Sequence, residues 1–212
     1  MLYSVWFIFW NPVSLTISAA QVASFIADPS SFTGYSSGSH VIISGAISHT
    51  QATALDAVNA TYIQATVSET TIANLAAIST SNSSRSSLNK FSFVISDTGA
   101  TAAELNSIQA KTSVSVDASN IGGTATGIEA SPASAITTLY TGTVPTGITD
   151  AKINVNDTTI NATSLNAING YTTGNVTVPA LTISGPVADI ETALGASGSG
   201  IIYSQTLAGG GA

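Results

Sequence analysis

The chain has 212 residues and is 44% hydrophobic, yet only 7% charged, with no cysteine. Eleven acids stand against Arg85, Lys90, Lys111 and Lys152, giving a net charge of −7. That balance excludes the basic patch needed to neutralise nucleic-acid phosphates or to hold an anionic membrane surface. The lack of cysteine excludes disulfides, zinc–thiolate sites and thiol nucleophiles.

The first element is the apolar stretch LYSVWFIFW at Leu2–Trp10, which holds both tryptophans. It has no positive n-region and is too short to span a bilayer, so no transmembrane segment is expected. It is expected either to pack as an apolar strand on the first repeat or to belong to a piece of a longer gene product. Residues 1–12 are therefore set apart from an array over 13–200, and 201–212 form a Gly-rich tail.

Repetition organises the array. ISDTGATAAELNSI at Ile95–Ile108 returns sixty positions later as VNDTTINATSLNAI at Val155–Ile168, aligning Asp97 with Asp157 and Leu105 with Leu165. Beyond it, Val114 and Val116 match Val176 and Val178 at a shift of 62, as do Ile121, Gly123 and Ile128 with Ile183, Gly185 and Ile190. A double repeat of about sixty residues is clearest over 91–194. Looser copies stand upstream in ATVSETTIANLAAI at Ala65–Ile78, where Glu69 takes the place of Asp97, and around Val41–Val58 and Leu15–Ile26. Self-similarity at such periods is the signature of stacked repeats.

Each unit predicts the same local structure. FSFVIS at Phe91–Ser96 and AKINVN at Ala151–Asn156 alternate with the period of a strand. The Asp-Thr that follows starts a turn. Apolar residues then recur every third position, at Ile72/Leu75/Ile78, Ala102/Leu105/Ile108 and Ala162/Leu165/Ile168, which places them on one face of a short helix. Strand, turn, helix, turn and strand make a βαβ crossover of just sufficient length, and such crossovers are right-handed and give parallel strands. The expected fold is α/β, a right-handed solenoid of strand–turn–short helix repeats with a parallel sheet, on the plan of leucine-rich repeats. Val114, Val116, Val176 and Val178 are expected to point into its shared core. A helix-free all-β solenoid is the alternative.

These phrases resemble the Asp-Thr/Leu-Asn repeats of very large cyanobacterial surface or secreted proteins. The three parts of that pattern stand at Asp157–Ile168, Thr172–Val178 and Gly185–Ile190. The resemblance covers roughly residues 41–194 and is sharpest from Ile95 onward. It implies an extracellular or cell-surface location, neighbouring repeats of a longer chain as partners, and surface glycans or other cells as adhesion targets.

Little chemistry is legible. His40 and His49 are the only histidines, with no acid at metal-ligand spacing between them. No nucleophile-elbow G-x-S-x-G occurs around a strand–helix turn, no P-loop lysine is present, and the glycines of Gly195–Gly200 read as a turn. Catalytic residues and bound cofactors are therefore not expected. Glu69, Asp97 and Asp157 occupy one position of their units, just after a strand. Stacked, they could line one edge and bind calcium, or each could cap the start of a helix. The expected function is a non-catalytic structural or adhesion module. The alternatives are a carbohydrate-active solenoid enzyme and a viral fibre or appendage segment that binds a host surface.

Overall fold

Strands form where β-branched and aromatic residues alternate, and a Ser, Thr or Asn then breaks the alternation and opens a helix. The computed structural model describes residues 14–80, 87–179, 182–195 and 200–204. The order begins β1 (Ser14–Ser18), α1 (Val22–Ala27), β2 (His40–Ile47), α2 (His49–Asp56), β3 (Tyr62–Val67), α3 (Ile72–Ala76) and β4 (Lys90–Ser92). It continues β5 (Gly99–Thr101), α4 (Ala102–Gln109), β6 (Gly127–Ser131), α5 (Ala133–Thr141), β7 (Ile153–Val155), β8 (Thr159–Asn161) and α6 (Ala162–Tyr171). It closes with β9 (Val176–Val178), β10 (Thr182–Ser184), α7 (Val187–Gly195) and β11 (Ile201–Tyr203).

The helix starts are written locally. Ser48 before α2 and Thr101 before α4 make capping boxes with Gln51 and Glu104, so two orphan N–H groups are satisfied reciprocally at each. Thr71 caps α3 and Asn161 caps α6 through side-chain oxygens. Pro132 precedes α5; it presets the chain direction but provides no side-chain cap.

All strand pairs are parallel. One sheet has the order β1-β2-β3-β4, a second β11-β9-β7-β6-β5, and β8 pairs with β10. Each register joins a strand to its counterpart in the following unit. Ile17 lies beside Ile43, Val41 beside Ile63 and Ala65 beside Phe91. In the second sheet Ala100, Ile128, Ile153, Val176 and Ile201 form one row across five strands. Isolated parallel bridges Val94–Asp117 and Asp117–Thr146 continue the first sheet's direction between the two. Side chains on that inner face are buried, and one continuous apolar cluster runs from Ile17 to Ile201. Successive helices lie side by side, α4 on α5, α5 on α6 and α6 on α7. The expected α/β class and parallel strands are present, and the seven helices among the described residues exclude the helix-free alternative.

The apolar triplets behave as the spacing predicts. Leu75, Ile78, Ala102, Leu105, Ile108, Ala162, Leu165 and Ile168 are buried, and only Ile72 is partly exposed. Phe91, Phe93 and Ile95 are buried alternately, as are Ala151, Ile153 and Val155. The sixty-residue shift therefore holds in space, since α4 and α6 occupy equivalent places.

Three expectations are corrected. Val116, Val176 and Val178 enter the core, but Val114 is 36% exposed. The cause is Gln109, whose Oε1 accepts from the Val116 N–H while its Nε2 donates to the Val114 carbonyl, replacing ladder bonds with local ones. The match of Ile128 with Ile190 fails, because the first lies in β6 and the second in α7. Finally, Ile201–Tyr203 is a strand paired with β9, so the segment read as a tail begins with a strand of the second sheet. Leu2–Trp10 lies outside the described residues.

One backbone position demands its glycine. Gly127 at the start of β6 has φ of 90°, and a Cβ there would meet the Lys152 carbonyl oxygen at 2.3 Å. Neighbouring units approach too closely at that point for any side chain.

Candidate functional site

The polar letters that repeat in the sequence converge on the seams between units. Glu69 follows β3, yet its Oε2 accepts from the N–H of His49, the first residue of α2 in the preceding unit, at 2.8 Å. Asp97 reaches back in the same way to the N–H of Ile72, the first residue of α3, at 2.8 Å. Asp157 accepts from the N–H of Ala133, the first residue of α5, at 2.6 Å. At α4 the place is taken by Ser131, whose hydroxyl accepts from Ala102 N–H at 2.9 Å. At α6 the Thr163 hydroxyl donates to Asp189 of α7.

Each carboxylate thus caps a helix, but a helix of the unit before its own. Two forces reinforce one another there. A charge-assisted bond satisfies an orphan N–H, and the negative charge sits at the positive end of the helix dipole. The sequence placed Glu69, Asp97 and Asp157 at one position of the unit; it did not show that the bonded partner lies upstream.

Asn106 and Asn166, the second half of the repeated Leu-Asn pair, point the other way along the stack. Asn106 Nδ2 donates to the Ala135 carbonyl of α5 at 3.0 Å, and Asn166 Nδ2 to the Asp189 carbonyl of α7 at 3.0 Å. Thr112 and Thr172 repeat a third bond. Their hydroxyls donate to the carbonyls of Phe91 and Ala151 at 2.7 and 2.6 Å, and accept from the N–H two residues on, at Val114 and Gly174. These three pairs of repeated polar residues therefore tie successive units together. The only signal for Asn106 and Asn166 in the sequence was their recurrence.

The electrostatics are those of capped carboxylates. Partial burial raises the Glu69 pKa, but bonds from the His49 side chain and N–H and from Ser68 outweigh it and hold the carboxyl below its ordinary value. Asp117 is lowered by the Ser119 hydroxyl and N–H. Burial lowers Lys111, whose Nζ donates to the Ile78 carbonyl.

His40 and His49 serve separate elements. His40 opens β2 and stacks on Tyr62 with centroids 4.2 Å apart, while Lys90 Nζ lies 4.2 Å from the centroid of the same ring. His49 Nδ1 lies 3.2 Å from Glu69 Oε1, and the Ser68 hydroxyl donates to Glu69 Oε2. Those three residues are not a nucleophilic triad, because the hydroxyl rests on the acid instead of the imidazole that would have to take its proton.

Among the described residues no three His, Cys, Asp or Glu side chains come together to hold a metal ion. The calcium candidates Glu69, Asp97 and Asp157 each have a carboxylate oxygen on a helix N–H. Two shallow grooves, of about 360 and 440 Å³, lie between α1 and α2 and between α4 and α5, and no histidine or acid lines either one. No described helix is long and apolar enough to cross a membrane. Comparison with family models, curated proteins and solved structures finds no match to the chain.

Proposed function

We propose that the chain is a non-catalytic structural or adhesion module, built as a right-handed solenoid and working in an extracellular or cell-surface array. One observation carries the reading. The repeated polar residues Asp97/Asp157, Asn106/Asn166 and Thr112/Thr172 are all engaged between units. Side chains kept for catalysis would be left facing a cleft with mutually placed acid, base and nucleophile. Parallel registers that advance unit by unit, with consecutive helices side by side, support the solenoid. A surface rich in Ser, Thr and Asn suits contact with glycans through many weak hydrogen bonds.

The test is retention without turnover. Beads coated with the full chain are passed over immobilised glycans and bacterial surfaces under flow, and the soluble chain is incubated with a polysaccharide panel. The expected result is retention above an uncoated control and no new reducing ends. Turnover that disappears on replacing His40, His49 or Asp97, with the fold intact by circular dichroism, would establish the carbohydrate-active alternative instead.

A further inference from the structure

Inside the chain each unit is covered by the next in three ways. A parallel strand adds to the exposed edge, a helix packs beside the previous helix, and at α2, α3, α4 and α5 a polar side chain takes the first N–H of that previous helix. At the unit formed by α7 and β11 these coverings are missing among the described residues. β11 pairs with β9 alone. Val187, Leu194 and Ile202 are 72%, 39% and 43% exposed, three of the six large hydrophobic residues left exposed among the described residues.

Comparison with the unit of α5 shows what an inner unit receives. Pro132 and Pro186 each stand immediately before a helix, so Val187 takes the place of Ala133 and Leu194 that of Tyr140. Tyr140 is covered by the next unit, its ring stacked on Tyr171 with centroids 5.2 Å apart and planes at 7°. The Ala133 N–H is taken by Asp157. No described side chain takes the Val187 N–H or covers Leu194 in the same manner.

We propose that the face of α7 and β11 is a docking surface for one further strand–turn–helix unit. The strand of that unit runs parallel to β11, its helix covers Val187 and Leu194, and an Asp or Glu just past its strand receives the Val187 N–H. This rests on the repeat-module reading and adds to it the surface and the chemistry of the partner. Continuity with the internal seams selects the occupant, because three of those seams carry a carboxylate at this point. The segment Gln205–Ala212 contains no acid, and in this chain β1 is followed by Ala19 and Ala20. Neither it nor a second copy joined through β1 provides the carboxylate.

A labelled peptide with the sequence of Ala151–Tyr171, which carries β7, Asp157 and α6, is titrated with the full chain and followed by fluorescence anisotropy. Saturable binding is expected. It should weaken about tenfold or more when the peptide carries Asp157→Asn, and should be lost when the chain carries Leu194→Asp or Ile202→Asp. Val187→Asp, at the most exposed of the three positions, gives a third variant with the same expected loss, and circular dichroism checks the fold of all three. Absence of saturable binding, or binding indifferent to these substitutions, overturns the proposal. Self-association of the chain alone in sedimentation, abolished by Leu194→Asp, makes the occupant a second copy and overturns it as well. Bead retention is read separately, so loss of the adhesion function and loss of this surface are told apart.

Discussion

Asp157→Ala should unfasten a helix that begins 24 residues before it. Pro132 gives α5 no side-chain cap, so Asp157 is the one described side chain that accepts a bond from the first N–H of that helix. Losing an N-cap acceptor costs about 0.5–2 kcal/mol, and losing a charge at a helix N-terminus a further 0.3–1 kcal/mol or so. The bond is partly buried, so a total of about 2 kcal/mol is expected. For α3 the same change at Asp97 should cost about 1 kcal/mol, because Thr71 still caps that helix. Amide hydrogen exchange on the full chain reads both. Protection across Ala133–Thr141 should fall about thirtyfold in Asp157→Ala, the equivalent of 2 kcal/mol, with a smaller change around Asp157 itself. A loss confined to the residues around Asp157, with α5 unchanged, would refute cross-unit capping as the force that fixes this helix.

Four further outcomes follow from the same geometry. Leu105→Ala, at a fully buried position, should cost about 2–5 kcal/mol and loosen the flanking units, whereas Thr143→Ala on the surface should stay within about 0.5 kcal/mol by urea unfolding. If units stack in one dimension, hydrogen exchange should show highest protection near Leu105 and a decline towards both ends; one uniform cooperative step would count against the array. Glu69 is depressed below its ordinary 4.5 in the folded chain, so its stabilisation is present above that pH and lost as pH falls through the lower folded value. The stability difference between the chain and Glu69→Gln should therefore shrink on acidification below about 4.5. Gly127→Ala should cost more than about 2 kcal/mol, since it combines a left-handed φ with a clash on the Lys152 carbonyl, and thermal melting will show it.

What could be read in advance followed the range of the forces. The triplets Ala102/Leu105/Ile108 and Ala162/Leu165/Ile168 were legible because a helical period acts within a dozen residues. The alternation of Phe91, Phe93 and Ile95 announced a strand for the same reason. The helix α5 was not announced, since Ala133–Thr141 carries no Asp-Thr phrase and opens on a proline. Val114 was misplaced because its alternation with Val116 looks like any strand, while the competing bonds come from the Gln109 side chain. The candidate acids were found at their positions, but their partners lie 20 to 25 residues upstream. A carboxylate's address in the sequence says nothing of which helix start it will meet, and that meeting decides between a calcium ligand and a cap.

The backward reach of these carboxylates also sets an order on how the chain comes into being. As it leaves the ribosome, α5 is complete before the residue that fastens it has been added. At about 5–20 residues per second, the 24 residues from Ala133 to Asp157 leave that helix waiting for between one and five seconds. Every unit is thus provisional until its successor arrives, and a pause in translation between a helix and the next acid holds an unlatched end open. Synonymous codons in those intervals should therefore affect the yield of folded protein more than codons elsewhere in the same gene.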